Sequence, residues 1–172
     1  PFILELQEKM HVVNLGEGTD YRTEGVTEWP LMHHGDTEEN HVFLNNYFTE
    51  HGEHPNDHTV LVLGRREVDA EYLADNMAWF TFENLCGEDL SREHYLELTE
   101  YYHDILLEGV PRFAASDADT AYRFIILVDI LYENKMRLVL TSAEHISALC
   151  TDGDAAFAFE RTVSRLHEMQ SF

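Results

Sequence analysis

The sequence predicts an α/β fold organised around a βαβ unit at 104–143, and three observations carry that prediction. Residues 104–110 form a short apolar run closed by Gly109 and Pro111, the pattern of a buried strand. Ala121, Phe124, Ile125, Val128, Leu131 and Tyr132 then recur at helical spacing, with Ile126, Leu127 and Ile130 as a second apolar stripe, so this helix is covered on most sides. Residues 137–141 follow as a second buried strand. Two strands joined by a crossover helix are expected to lie parallel and adjacent.

In chain order, Ile3, Leu4, Leu6 and Met10 mark one short helical face, and residues 11–15 read as a strand leading into the Gly16–Gly18 turn. No helix follows that GxG, so a tight turn is the preferred reading over a phosphate loop. Residues 26–58 are polar and rich in His and read as an insertion within one 172-residue domain. Inside it, Asp36 and Glu39 form a capping box ahead of a helix carrying Phe43, Leu44, Tyr47 and Phe48, with Gly52 at its end. Residues 59–82 form a smaller β-rich piece: 59–63, 68–74 and 77–82 read as strands, with Asp75-Asn76 as a turn. Ser91 caps a helix with Tyr95, Leu98 and Tyr102 on one face. Ser116 or Asp117 caps the central helix, and Asn134 is its expected left-handed stop. A last helix after Asp154 buries Ala156, Phe159, Val163 and Leu166.

A formal charge of −22, from 33 acidic and 11 basic residues, argues against sequence-independent nucleic-acid binding and against an anionic membrane surface. No apolar run reaches membrane-spanning length, so no stable membrane insertion is expected. Cys86 and Cys150 stand apart from each other and from metal-ligand neighbours, which fits a reduced compartment. The chain starts at Pro1-Phe2-Ile3 and reads as cut from something longer.

Several residues could carry chemistry. His51, His54 and His58 have a spacing that could collect zinc with Glu53 or Asp57, but Pro55 breaks the run, and a solvated loop without metal is preferred. Asp20 and Arg22 flank Tyr21, either as a turn-holding ion pair or as part of a nucleotide pocket or subunit interface. Glu108 ends a central strand, where an acid can face a ligand across the sheet's carboxyl edge. Asp129 lies in a very apolar helix and is expected to be satisfied by a backbone amide, Arg123 or Arg137. Arg161, Arg165 and Glu168 share one face of the last helix. Two arginines one turn apart repel unless an anion lies between them, which makes them the best phosphate-seeking feature, although Glu168 can neutralise Arg165. There is no G-x-x-x-x-G-K-[ST], and neither lysine follows a glycine. No complete catalytic site is visible, and no residue is assigned a catalytic role.

Phe80-x-Phe82-x-x-Leu85-Cys86, Tyr95-Leu96, Leu107-x-x-Val110-Pro111, the run Arg123 to Tyr132, and Arg161-Thr162-x-Ser164-Arg165-Leu166-x-Glu168-Met169 occur in that order. They resemble the C-terminal half of the ZapE / lactation-elevated ATPases, also called ATPase-family-gene-one-like ATPases. Residues 18–22, Gly64-Arg65 and Pro1-Phe2-Ile3 match the same family, and 26–58 matches least. The resemblance implies the C-terminal part of a P-loop, AAA+-type NTPase whose phosphate loop and acidic metal motif precede Pro1. It implies ATP and Mg only with that missing N-terminal half, and none for this chain alone, which should be inactive by itself. It further implies Arg161, Arg165, Asp20 and Arg22 as nucleotide-proximal residues. The implied partners are the N-terminal ATPase half or neighbouring subunits, and division-ring or quality-control proteins. The implied location is the cytoplasm or, alternatively, the mitochondrial matrix. The rival expectation is a non-catalytic interaction module that kept the fold.

Overall fold

A computed structural model describes residues 30–56 and 59–172. In chain order its elements are β1 (Met32–His34), α1 (Thr37–His51), β2 (Val60–Leu63), β3 (Arg66–Asp69), β4 (Tyr72–Leu73) and β5 (Met77–Thr81). There follow α2 (Arg92–Tyr101), β6 (Asp104–Val110), α3 (Ala118–Glu133), β7 (Arg137–Ser142) and α4 (Ala156–Met169). The expected readings of 1–29 and of His58 fall outside the described residues.

Five strands form one sheet in the order β1-β7-β6-β5-β4, and β2 and β3 form a separate antiparallel hairpin. β1, β7, β6 and β5 run parallel, and β4 pairs antiparallel with β5 at one edge. The βαβ unit read at 104–143 is therefore present, with β6 and β7 as parallel neighbours joined by α3. One face carries Ala78, Phe80, Ile105, Leu107, Leu138 and Leu140 and packs with residues of α2, α3 and α4. The opposite face carries Met77, Trp79, Leu106 and Val139 and packs with Leu44, Tyr47 and Phe48 of α1. Burial on both faces is why β5, β6 and β7 read as continuous apolar runs instead of alternating ones.

The described part of the polar stretch is built into this sheet. β1 pairs with β7, and α1 begins at a capping box in which Asp36 accepts the Glu39 N–H and Glu39 accepts the Asp36 N–H. Three local expectations need correction. The run 68–74 is two strands, because β3 ends at Asp69 and pairs with β2, whereas β4 pairs with β5. Asn134 has φ −94 and caps through its side chain, donating to the Ile130 carbonyl; Lys135 takes the left-handed conformation at φ 56. In α4 the fully buried positions are Phe159, Thr162, Leu166 and Met169, while Ala156 and Val163 sit only partly buried at the border. A π-helical turn at Glu83–Gly87 carries Leu85 and Cys86 into the core. No helix among the described residues is long and apolar enough to cross a membrane.

Candidate functional site

α4 packs along α3 through Phe159, which stacks on Phe124 at 5.9 Å, and through Leu166. This packing leaves Arg161 and Arg165 on the flank of α4 that faces Asp129 of α3. Both arginines take that one carboxylate. Arg161 Nη2 donates to Asp129 Oδ2 at 3.1 Å, and Arg165 Nη1 donates to Oδ1. The Arg165 guanidinium also lies over the Tyr132 ring, 4.9 Å from its centroid. Tyr132 Oη donates to Glu168 Oε2 at 2.6 Å, and that hydrogen bond, with the charge behind it, raises the tyrosine's pKa.

The two guanidiniums are thus bridged by a carboxylate, which removes the repulsion expected from their spacing. Glu168, expected to neutralise Arg165, instead receives the Tyr132 hydroxyl. Arg123 and Arg137, the expected partners of Asp129, are engaged elsewhere. Arg123 Nε donates to the Cys86 carbonyl at 2.7 Å, holding the π-helical turn. Arg137 reaches Asp104 and the Phe172 carbonyl. The side chains of the triad differ in access: Arg165 is 21% exposed and Asp129 16%, but Arg161 is 60% exposed. Arg161 uses one of its five N–H groups on Asp129, so it can still meet an anion from solvent.

Glu108 sits at the carboxyl end of β6, where a register shift between Leu107 and Val110 and Gly109 at φ 78 break the ladder with β7. Such a bulge re-aims a side chain. The Glu108 carboxylate accepts Trp79 Nε1 at 3.0 Å and pairs with His41 Nδ1 at 3.1 Å, across the face covered by α1. Asp20 and Arg22 lie outside the described residues.

The histidines of the polar stretch separate. His33 stacks on Phe43, His51 stacks on Tyr47 and pairs with its carbonyl, and His54 pairs with Asp75 at 3.0 Å. Among the described residues no three metal-ligating side chains are placed to share an ion. Two polar features escaped the sequence reading. His34, His145 and His167 line a groove of about 220 Å³ beside β1. Tyr47 Oη donates to Asp104 Oδ2 at 3.2 Å, and burial, followed by the nearby Asp104 charge, pushes Tyr47 up to about 12. Both join residues remote in sequence, so no local spacing announces them.

The family model described as "AFG1-like ATPase" matches residues 1–172. The chain belongs to that family. Relatives of this AFG1-like chain include an uncharacterized protein of Schizosaccharomyces pombe, 32% identical over 83% of the chain and 32% of that protein. The lactation elevated protein 1 homolog B of Danio rerio is 29% identical over 99% of the chain and 41% of that protein. The cell division protein ZapE of Escherichia coli K12 is 27% identical over 99% of the chain and 46% of that protein. The AFG1-like chain therefore spans less than half the length of these relatives. No solved structure matches it. The predicted α/β architecture, a mixed sheet with flanking helices, agrees with a P-loop NTPase-like fold, and the match places the chain in an ATPase superfamily.

Proposed function

We propose that this chain is the C-terminal part of a ZapE-type P-loop ATPase, in which ATP binding and hydrolysis are coupled to the handling of a partner protein. The settings this reading favours are cell division in the cytoplasm or quality control in the mitochondrial matrix. The observation that carries it is the family match over residues 1–172, joined to an arginine pair on one face of α4. The 172 residues include no G-x-x-x-x-G-K-[ST], so on this reading the phosphate-binding loop is supplied by another part of the ATPase. Bound ATP and Mg, held chiefly by the part of the protein before Pro1, would supply the transferable phosphoryl group.

Within this chain, Arg161 is the group suited to face bound phosphate, because it keeps most of its donors and its exposure. Arg165 and Asp129 are suited to hold it: Asp129 fixes the Arg161 fork, and Arg165 anchors Asp129 against Tyr132. A positioned guanidinium stabilises charge that develops during phosphoryl transfer. Asp20 and Arg22 belong to the same proposal, as a turn near the nucleotide or a subunit interface.

The test uses the whole ATPase with Arg161→Ala. ATP turnover is expected to fall by ~10²-fold or more, as loss of a transition-state charge partner does, with the melting temperature nearly unchanged. Normal turnover in a folded Arg161→Ala protein would overturn the assignment. The second reading, a non-catalytic interaction module, is favoured by one observation: Asp129 already engages both arginines. Full turnover in the double variant Arg161→Ala/Arg165→Ala would support that reading.

A further inference from the structure

In so acidic a chain, nearly every described cation has a partner. Arg92 pairs with Glu133, Arg112 with Glu144, Arg137 with Asp104, and Arg161 and Arg165 with Asp129. Arg123 donates to two backbone carbonyls, and Lys135 lies over the Tyr132 and Phe172 rings. Among the described residues, Arg65 and Arg66 alone make no such contact. They are adjacent and exposed at the tip of the β2–β3 hairpin.

That tip is held firmly. Gly64 takes φ +60 at the first position of a two-residue turn, a conformation that glycine adopts without strain. Its N–H donates to Glu97 Oε2 of α2 at 2.6 Å, which fastens the turn to the body of the fold. The arginines are therefore presented from a fixed support, and less ordering entropy remains to be lost on binding.

Among the described residues, β2 beside them pairs only with β3, which leaves its other edge open. Its residues Val60-Leu61-Val62-Leu63 include no charge and no proline, the usual devices that blunt an edge strand. Leu61 and Leu63 face inward, while Val60 and Val62 stand 46% and 53% exposed. The ladder direction follows from register. Ala70 N donates to the Thr59 carbonyl, so the pair one step on, Val60 and Asp69, is a non-hydrogen-bonded pair, and so is Val62 with Glu67. The backbone N–H and C=O groups of Val60 and Val62 thus point away from β3. The outer edge of β3 differs, because Asn84 Nδ2 donates to the Asp69 carbonyl there.

We propose that the outer edge of β2 is a docking site for an extended acidic segment of a partner protein, which adds as a third strand and places its carboxylates on Arg65 and Arg66. Backbone pairing to Val60 and Val62 gives the contact its direction, and alternate apolar side chains of the segment cover the two valines. Charge selects the occupant: the free groups at the tip are two cations, enough for a segment bearing one or two carboxylates, whereas nucleic acid would bring a run of phosphates to a body of net charge −22. Arg65 stands in the turn at the end of the free edge and is the first contact, whereas Arg66, Glu67 and Asp69 all lie on β3, so the attraction of Arg66 and the repulsion of the two acids alike act across an added ~5 Å and partly through solvent.

The test uses this chain and a fluorescein-labelled peptide of two aspartates followed by alternating valine and threonine. A twin with lysines for the aspartates, and a single-stranded oligonucleotide, serve as the other probes. The acidic peptide is expected to bind, with affinity falling as salt rises. Arg65→Ala/Arg66→Ala should weaken it by at least about tenfold, or 1.4 kcal/mol. Val62→Pro should abolish it while the protein stays folded, because the lost N–H points outward and the β2–β3 ladder keeps its bonds. Amide exchange at Val60 and Val62 should slow on binding, with no comparable change in β6. The proposal is overturned if the acidic peptide does not bind, if Val62→Pro binds normally, or if the lysine twin or oligonucleotide binds as well. A concentration-dependent dimer abolished by Val62→Pro, without peptide binding, would also overturn it in favour of a second copy of the chain.

Discussion

Replacing Arg165 and Arg161 with alanine in turn separates the anchoring arginine from the solvent-facing one. Both hold Asp129, but Arg165 is 21% exposed against 60% for Arg161, and the carboxylate they share is 16% exposed. Breaking a fully buried pair costs ~3–5 kcal/mol, because the surviving charge is stranded, and an exposed pair is worth ~0–1 kcal/mol. Arg165→Ala falls between these limits. Asp129 keeps Arg161 and so is not stranded, which brings the expected loss to ~1–2 kcal/mol. Arg161→Ala leaves the better-packed contact in place and should cost ~0.5 kcal/mol or less. At ~2–4 °C per kcal/mol for a chain of this size, Arg165→Ala should lower the melting temperature by ~2–8 °C and Arg161→Ala by ~2 °C at most. Asp129→Asn should destabilise as well, since it leaves two like charges one turn apart. Urea unfolding of the three variants, with slopes compared to confirm that the denatured state is unchanged, reads this order directly. If Arg161→Ala costs more than Arg165→Ala, exposure does not govern this ion pair, and the division of labour between the two arginines fails.

The isolated chain is expected to show no ATP turnover, because neither of its lysines follows a glycine in a phosphate loop; steady-state phosphate release that disappears with Arg161→Ala/Arg165→Ala would refute this. Elemental analysis is expected to find no stoichiometric zinc, since His51 and His54 turn to Tyr47 and Asp75; about one zinc per chain, removed by His54→Ala, would contradict it. Stability should fall at alkaline pH. Burial pushes Tyr47 and Cys86 each up to about 12, above their ordinary values, so the unfolded chain loses these protons first. The stabilisation is complete below the ordinary tyrosine and thiol values, and it is lost as pH rises toward 12. Tyr47→Phe should therefore flatten the decline between about pH 10 and 12 by up to ~1.4 kcal/mol per pH unit. An unchanged slope in that variant would show that Tyr47 ionises as freely in the fold as outside it.

The parts of the fold legible in the sequence were those whose cause is local. The capping box at Asp36 and Glu39 satisfies helix-end amides within four residues, so the start of α1 could be read from spacing alone. β6 and β7 are buried on both faces, and continuous apolar runs mark such strands without reference to their neighbours. The misreadings have long-range causes. Residues 68–74 look like one strand, yet Val68 pairs with Leu61 and Leu73 pairs with Ala78, so the break follows from which partner each half finds. The π-helical turn at Glu83–Gly87 depends on Arg123, some 37 residues on, holding the Cys86 carbonyl.

The candidate site divides along the same line. The helical spacing of Arg161 and Arg165 placed them on one face, and the structure keeps them there. Their relation to Asp129 could not be read, because it depends on how α4 is rotated against α3. Thr162, not Val163, is fully buried, and that rotation turns both arginines toward α3. An aspartate inside an apolar helix is costly unless paired, and Asp129 is paired twice. Its presence requires a cationic flank on whatever helix packs there, so Asp129 and the arginines define one feature between them. Asp129 on α3 and the arginines of α4 therefore tie the two helices together at the border of the packing that Phe124 and Phe159 make between them.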